Sequence, residues 1–184
     1  MKVRVMGVDP GMVNCAVFVA DIYKTEDKLT VHFIASFMME ITMRDVTDEE
    51  RLKFEKYCRY LKKTYRPELL ICERFQPRGG FLPASIIEIT NQMIAVMCVT
   101  FKCKTKQITA ASWKNQIQKK VNKEKIVDLK EVYKTYKREL GPHRVDASLL
   151  VLVQFGFNAY HTHKFLFWLA RKSRNTVNKG TALM

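Results

Sequence analysis

Paired cysteines, flexible linkers and acidic residues are all scarce in this chain, and each scarcity excludes something. The five cysteines (15, 58, 72, 98 and 103) are odd in number and contain no CxxC pair. They read as small core residues in a reducing compartment, not as a disulfide frame or a zinc site. With 7 Gly and 5 Pro in 184 residues, nothing collagen-like or linker-like is present. Met1–Gly7 carries no apolar core of a secretory signal, so a cytoplasmic protein is expected, in the host cytoplasm if it is viral. No membrane partner is expected either. The longest apolar stretch is expected around Ala147–Tyr160, which contains Gln154 and Asn158 and falls short of the roughly 20 residues a span needs. Acid is outnumbered: 18 Asp+Glu stand against 32 Lys+Arg, a net charge of +14. Such an excess says little about fold and much about partners, with a polyanion first among them.

What is present is an ordinary globular balance, 47% hydrophobic and 27% charged. One domain over residues 1–170 is expected, followed by a basic tail over 171–184. Lys2–Asp9 alternates through Val3 and Val5 and stops at Gly7-Val8-Asp9-Pro10-Gly11, a strand running into a turn. Val13–Asp21 and Lys28–Phe37 are two further β-rich runs, close enough together for an antiparallel meander. Thr47-Asp48-Glu49-Glu50 is a capping-box pattern opening a helix with Phe54, Tyr57, Leu61 and Tyr65 at helical spacing, ended by Arg66-Pro67. Glu68–Glu73 reads as a buried central strand. A nearly all-round apolar helix follows from Ala84 to Thr100, then a fifth strand around Val99–Ile108. A helix capped by Ser112, another through Ile126, Leu129, Tyr133 and Tyr136, and a core helix from His143 complete the order. The pattern βββαβαβ followed by helices defines an α/β domain with a mixed sheet.

Three acids occupy unusual places: Asp9 ends the first strand, Glu73 ends the fourth, and Asp146 begins an otherwise apolar helix. Singly, each has a plain structural explanation: a turn residue, a surface pair with Arg74, and a macrodipole partner. Together they point to one edge of the sheet, because ligands of open α/β folds sit beyond the carboxyl ends of parallel strands. Carboxylates that close repel unless one takes a proton or a cation bridges them, and oxygen ligands favour Mg2+ or Mn2+.

Gly7-Val8-Asp9-Pro10-Gly11, Ile71-Cys72-Glu73 and His143-Arg144-Val145-Asp146-Ala147 resemble the three acidic motifs of RuvC-type Holliday junction resolvases, within the RNase H-like superfamily. The resemblance spans roughly residues 1–157. It implies an RNase H-like five-stranded sheet in the order 3-2-1-4-5 flanked by helices, a homodimer, and two Mg2+ ions per active site, with Mn2+ as a substitute. It maps Asp9, Glu73 and Asp146 onto the catalytic, metal-holding carboxylates and His143 onto a fourth position, as metal ligand or acid/base. Family members often carry an aromatic shortly after the glutamate that helps open base pairs; here Phe75 and Phe81 follow Glu73. Asn14-Cys15 departs from the Thr-Gly or Ser-Gly of many relatives, and the long basic tail departs from bacterial members, in keeping with a phage or other mobile-element relative.

The expected substrate is a four-way DNA junction, cut by phosphodiester hydrolysis. Residues 101–138 contain twelve Lys/Arg against three Asp/Glu, enough to neutralise several phosphates. Lys102, Lys104 and Lys106 alternate and are expected on one strand face, with Lys114, Lys119, Lys120 and Lys123 following. Arg74, Phe75 and Arg78 lie in the loop after Glu73, and Trp113 was weighed as a core residue against a base-stacking one. The apolar helix from Ala84 is the expected subunit contact. Two other readings stay open: a related nuclease acting on other branched DNA or RNA, and a non-catalytic junction-binding protein. An actin-like or sugar-kinase ATPase does not fit one lobe of 184 residues with Met12-Val13-Asn14 after the first turn.

Overall fold

β1 (Lys2–Asp9), β2 (Ala16–Lys24) and β3 (Leu29–Met38) form the antiparallel meander in the computed structural model, which describes residues 2–26, 29–74, 83–116, 136, 138 and 140–156. β4 (Leu69–Arg74) runs parallel to β1, and β5 (Lys104–Thr109) parallel to β4. The sheet order is 3-2-1-4-5, as the resemblance implies. β2 begins at Ala16, three residues later than its apolar run, because the chain first closes a tight turn. A Cβ on Gly11 would stand 2.5 Å from the Asn14 carbonyl oxygen, so only glycine fits that close approach.

Each face of the sheet has its own core. Val5, Phe18, Ala20, Ile22 and Ile71 face one side and pack with Val145, Leu149 and Val153 of helix α4 (Pro142–Gln154) and with Trp113. Met6, Val8, Val17, Val19, Leu70 and Cys72 face the other, against Phe54 and Leu61 of α1 (Asp48–Tyr65) and Met93 and Met97 of α2 (Ala84–Phe101). Burial on both faces explains why β2 reads as an unbroken apolar run. The five cysteines are free thiols; Cys15, Cys58 and Cys72 are buried, and burial holds their thiols well above the ordinary range.

The helix ends differ from the sequence expectation in three places. α1 begins as expected, with the Thr47 hydroxyl accepting the Glu50 N–H at 3.2 Å, but Glu50 turns to the Arg44 N–H instead of closing the box. α2 runs one residue past the expected Thr100, to Phe101, and stops in a left-handed cap at Lys102 with φ 49°, so the fifth strand starts at Lys104 and not at Val99. Lys102 therefore lies outside β5, and only Lys104 and Lys106 of the expected trio share a strand face. The segment over residues 110–116 is helical, here α3. Its cap is Thr109, whose hydroxyl accepts the Ser112 N–H at 3.2 Å, and not Ser112.

α2 is also a longer apolar segment than the stretch singled out in the sequence: by length and composition its 18 residues could cross a membrane. Here it packs along α1 and β4, burying Ile89, Met93, Ile94, Met97 and Phe101. The basic tail over 171–184 lies outside the described residues.

Candidate active site

The two-residue period of a strand decides where the acids point. Along β1, Val5 and Gly7 face α4 while Met6 and Val8 face α1 and α2. Asp9 continues the first set. Along β4, Leu69 and Ile71 face α4 while Leu70 and Cys72 face away, so Glu73 also falls on the α4 side. The parallel register pairs Val8 with Cys72. Asp9 and Glu73 come one step later on both strands and meet at the carboxyl edge.

Gly7 brings the third acid to them. A Cβ there would collide with the Val151 side chain and stand 2.6 Å from the Ala147 carbonyl oxygen. With no side chain in the way, α4 lies against the β1 backbone. Its first turns then pass over Asp9, with His143 and Asp146 three positions apart on one helix face. Arg144 ties the same turn to β3, its Nε donating to Ser36 Oγ at 3.1 Å. Gly141, at φ 80°, sets the chain into α4 just ahead of Pro142.

Each carboxylate then meets a different donor. His143 Nδ1 lies 2.8 Å from Asp9 Oδ2. Trp113 Nε1 donates to Glu73 Oε2 at 2.8 Å. Lys114 Nζ pairs with Asp146 Oδ2 at 3.4 Å, and the same ammonium lies 4.9 Å from the centre of the Trp113 ring. The side chains of Asp9 and Asp146 are 13% and 12% exposed. Burial pushes the Asp9 carboxyl up to about 7; the His143 hydrogen bond pulls against this, and the charges of Glu73 and Asp146 add to the rise. That repulsion is the electrostatic sign that the three acids share one space.

Among the described residues, no three His, Cys, Asp or Glu side chains are drawn together closely enough to grip a single ion as they stand. The donor chemistry nevertheless suits a hard divalent cation. Three carboxylates from two strand ends and one helix supply only oxygen ligands, with a histidine beside them.

The expected nucleic-acid contacts divide. Arg74 is exposed at the end of β4, and Lys104 and Lys106 are exposed on β5 in register with Leu69 and Ile71, on the same face as Glu73. Lys102 is exposed at the α2 cap, and Lys114 faces Asp146. Phe75, Arg78, Lys119, Lys120 and Lys123 lie outside the described residues. Trp113 does not serve for base stacking: it is fully buried, between the sheet and α4. Its contact with Glu73 was missed in the sequence. The available signal was chemical, since a buried indole N–H needs an acceptor and the nearest strand end carries an acid.

The sheet order 3-2-1-4-5 and the packing of α4 across β1 give the chain a fold similar to that of RuvC. Solved structures of similar fold include RuvC of Thermus thermophilus, at 15% identity and a TM-score of 0.57 over 83% of this chain and 92% of that one. The same protein in complex with a Holliday junction substrate matches at 14% and 0.53, over 84% and 96%. The yeast mitochondrial Holliday junction resolvase Ydc2 matches at 14% and 0.53, over 96% and 83%. No family model matches the chain, and no curated protein matches its sequence.

Proposed function

We propose that this protein is a metal-dependent, structure-selective endodeoxyribonuclease that resolves four-way DNA junctions by phosphodiester hydrolysis. The observation that carries the reading is the convergence of Asp9, Glu73 and Asp146 on one side of the sheet edge, close enough that two of them raise the proton affinity of the third. Asp9, Glu73 and Asp146, with His143 beside them, are the residues that would hold two Mg2+ or Mn2+ ions. When bound, such ions supply an activated water and stabilise the leaving 3′ oxygen of an in-line displacement.

The protein's own groups do the rest. His143, 40% exposed, holds Asp9 through the Nδ1–Oδ2 hydrogen bond and stands at the rim of the site, where it would serve as metal ligand or acid/base. Arg74, Lys104 and Lys106 present positive charge on or beside the same face, where phosphates of the continuing strand would lie. A four-way junction with two equivalent strands to cut calls for two sites, and the outward side of α2 offers the surface for a second copy. Ala84, Ile87, Glu88, Asn91, Gln92 and Ala95 line a shallow groove there, with Val99 70% exposed beyond it.

The test is cleavage of a labelled four-way junction beside forks, RNA–DNA hybrids and linear duplex, with Mg2+ and with chelator. The wild type is expected to cut the junction in preference, only with metal. Asp146→Asn is expected to bind it and cut about 10³-fold more slowly, the equivalent of several kcal/mol of lost transition-state stabilisation. Preference for hybrids or forks moves the substrate to another nuclease of the same fold. Binding without metal-dependent cleavage makes the protein a junction binder, and full activity in Asp146→Asn removes the site assignment.

A further inference from the structure

We infer that Trp113 is a positioning residue for the metal site, fixing the Glu73 carboxylate without cancelling its charge; this rests on the metal-dependent reading above. Of the donors seen on the acids among the described residues, His143 and Lys114 sit at the rim, 40% and 44% exposed, whereas Trp113 is 0% exposed. A rim side chain turns to solvent through ordinary rotamer changes when a cation arrives. A ring enclosed in the core with Ile108, Val145 and Leu149 has no such freedom.

The chemistry of the donor matters as much as its rigidity. An ammonium or imidazolium on a carboxylate competes with a metal for the same negative charge. An indole N–H is neutral and donor-only, so it orders the carboxylate through a charge-assisted hydrogen bond and leaves its full charge in place.

Local structure delivers the ring to that position. β5 is level with β4 there, Ile108 pairing with Glu73. Thr109 caps α3 immediately afterwards, and Trp113 follows one turn into the helix. Strand register, cap and one helical turn thus carry the indole under Glu73. Partners of this kind, bonded to a metal-holding side chain, are typically worth about 10- to 100-fold in metal affinity or activity.

The experiment is Mn2+ binding by the full chain, read from the electron paramagnetic resonance signal of free Mn2+, with junction cleavage measured in parallel. Two variants are compared with wild type. Trp113→Phe removes the N–H and some volume. Benzothienylalanine at position 113, where sulfur replaces the N–H, keeps the ring shape. Both are expected to bind Mn2+ about tenfold or more weakly, to recover part of their cleavage at high Mn2+, and to bind the junction in chelator as wild type does. The benzothienyl protein is expected to melt close to wild type, so poor folding of Trp113→Phe leaves the question decided by the isostere. Mn2+ affinity of the isostere within twofold of wild type overturns the inference while leaving the nuclease reading intact. Failure of the wild type itself to bind Mn2+ or cleave overturns that reading, and this inference falls with it.

Discussion

The two ends of β1 are built on opposite electrostatic plans. At the amino end, Arg4 clasps Asp21 on β2 with two hydrogen bonds, Nε to Oδ1 at 2.7 Å and Nη2 to Oδ2 at 2.9 Å. Its third nitrogen donates to the Tyr65 carbonyl, and its backbone N–H to Glu68. The Arg4 hydrogen bond holds the Asp21 carboxyl below its ordinary value, and the Lys2 ammonium 3.8 Å away adds to this. At the carboxyl end, seven residues from a strand start with every charge matched, Asp9 meets two further acids, and burial lifts its carboxyl to about 7. One end spends its polar groups on holding the sheet together. The other buries a carboxyl beside two more acids, a cost that its hydrogen bond to His143 only partly offsets.

That contrast gives four ways to break or sharpen it, in falling order of effect. Asp9→Asn is expected to reduce junction cleavage by about 10³-fold or more. In the metal-free protein at pH 8 it should nevertheless raise stability, by on the order of 1–3 kcal/mol in urea unfolding. The sign follows from the raised pKa. Between about 4 and 7 the native state binds more protons at Asp9 than the unfolded chain does, so metal-free stability falls as pH rises through that window. Asp21 has the opposite slope, its contribution present above the ordinary carboxylate range and lost as pH falls through its depressed pKa. A metal-free Asp9→Asn protein less stable than wild type at pH 8 would show that burial beside two acids does not penalise the ionised Asp9.

Asp21→Asn is expected to cost about 3 kcal/mol, since it leaves a part-buried guanidinium without its anion, while cleavage per folded molecule holds. Loss of activity beyond loss of folded protein would mean that the two ends are coupled. Gly7→Ala is expected to cost about 1–3 kcal/mol by overpacking. It should also lower cleavage more than tenfold, because α4 must move and take His143 and Asp146 with it; a melting curve beside a cleavage assay separates the two effects. Lys106→Ala has the smallest expected effect, a few-fold loss of junction affinity and a salt slope shallower by about one. An unchanged slope removes Lys106 from the DNA face.

Much of this was legible in the sequence, and the parts that were not have physical reasons. The meander, the buried β4 and the three acids follow from alternation, apolar runs and turn residues. The start of β5 was misplaced because helix stops are usually marked by glycine in the left-handed cap, and here Lys102 holds that conformation. A cap without its usual residue leaves no trace in the sequence. Sequence spacing also put the acids at one edge without giving their face, which depends on the register between β1 and β4. Trp113 was the hardest to read: an aromatic beside lysines looks like a DNA contact until the ring is found enclosed, and only its N–H reaches the site.

The contact between Gly7 and α4 has a consequence for any reworking of this protein. Helix and strand meet there main chain to main chain, so no rotamer change can absorb an error in their spacing. The absent methyl group acts as a gauge block that sets the width of the acid cluster. Any library built on this protein has to leave position 7 alone.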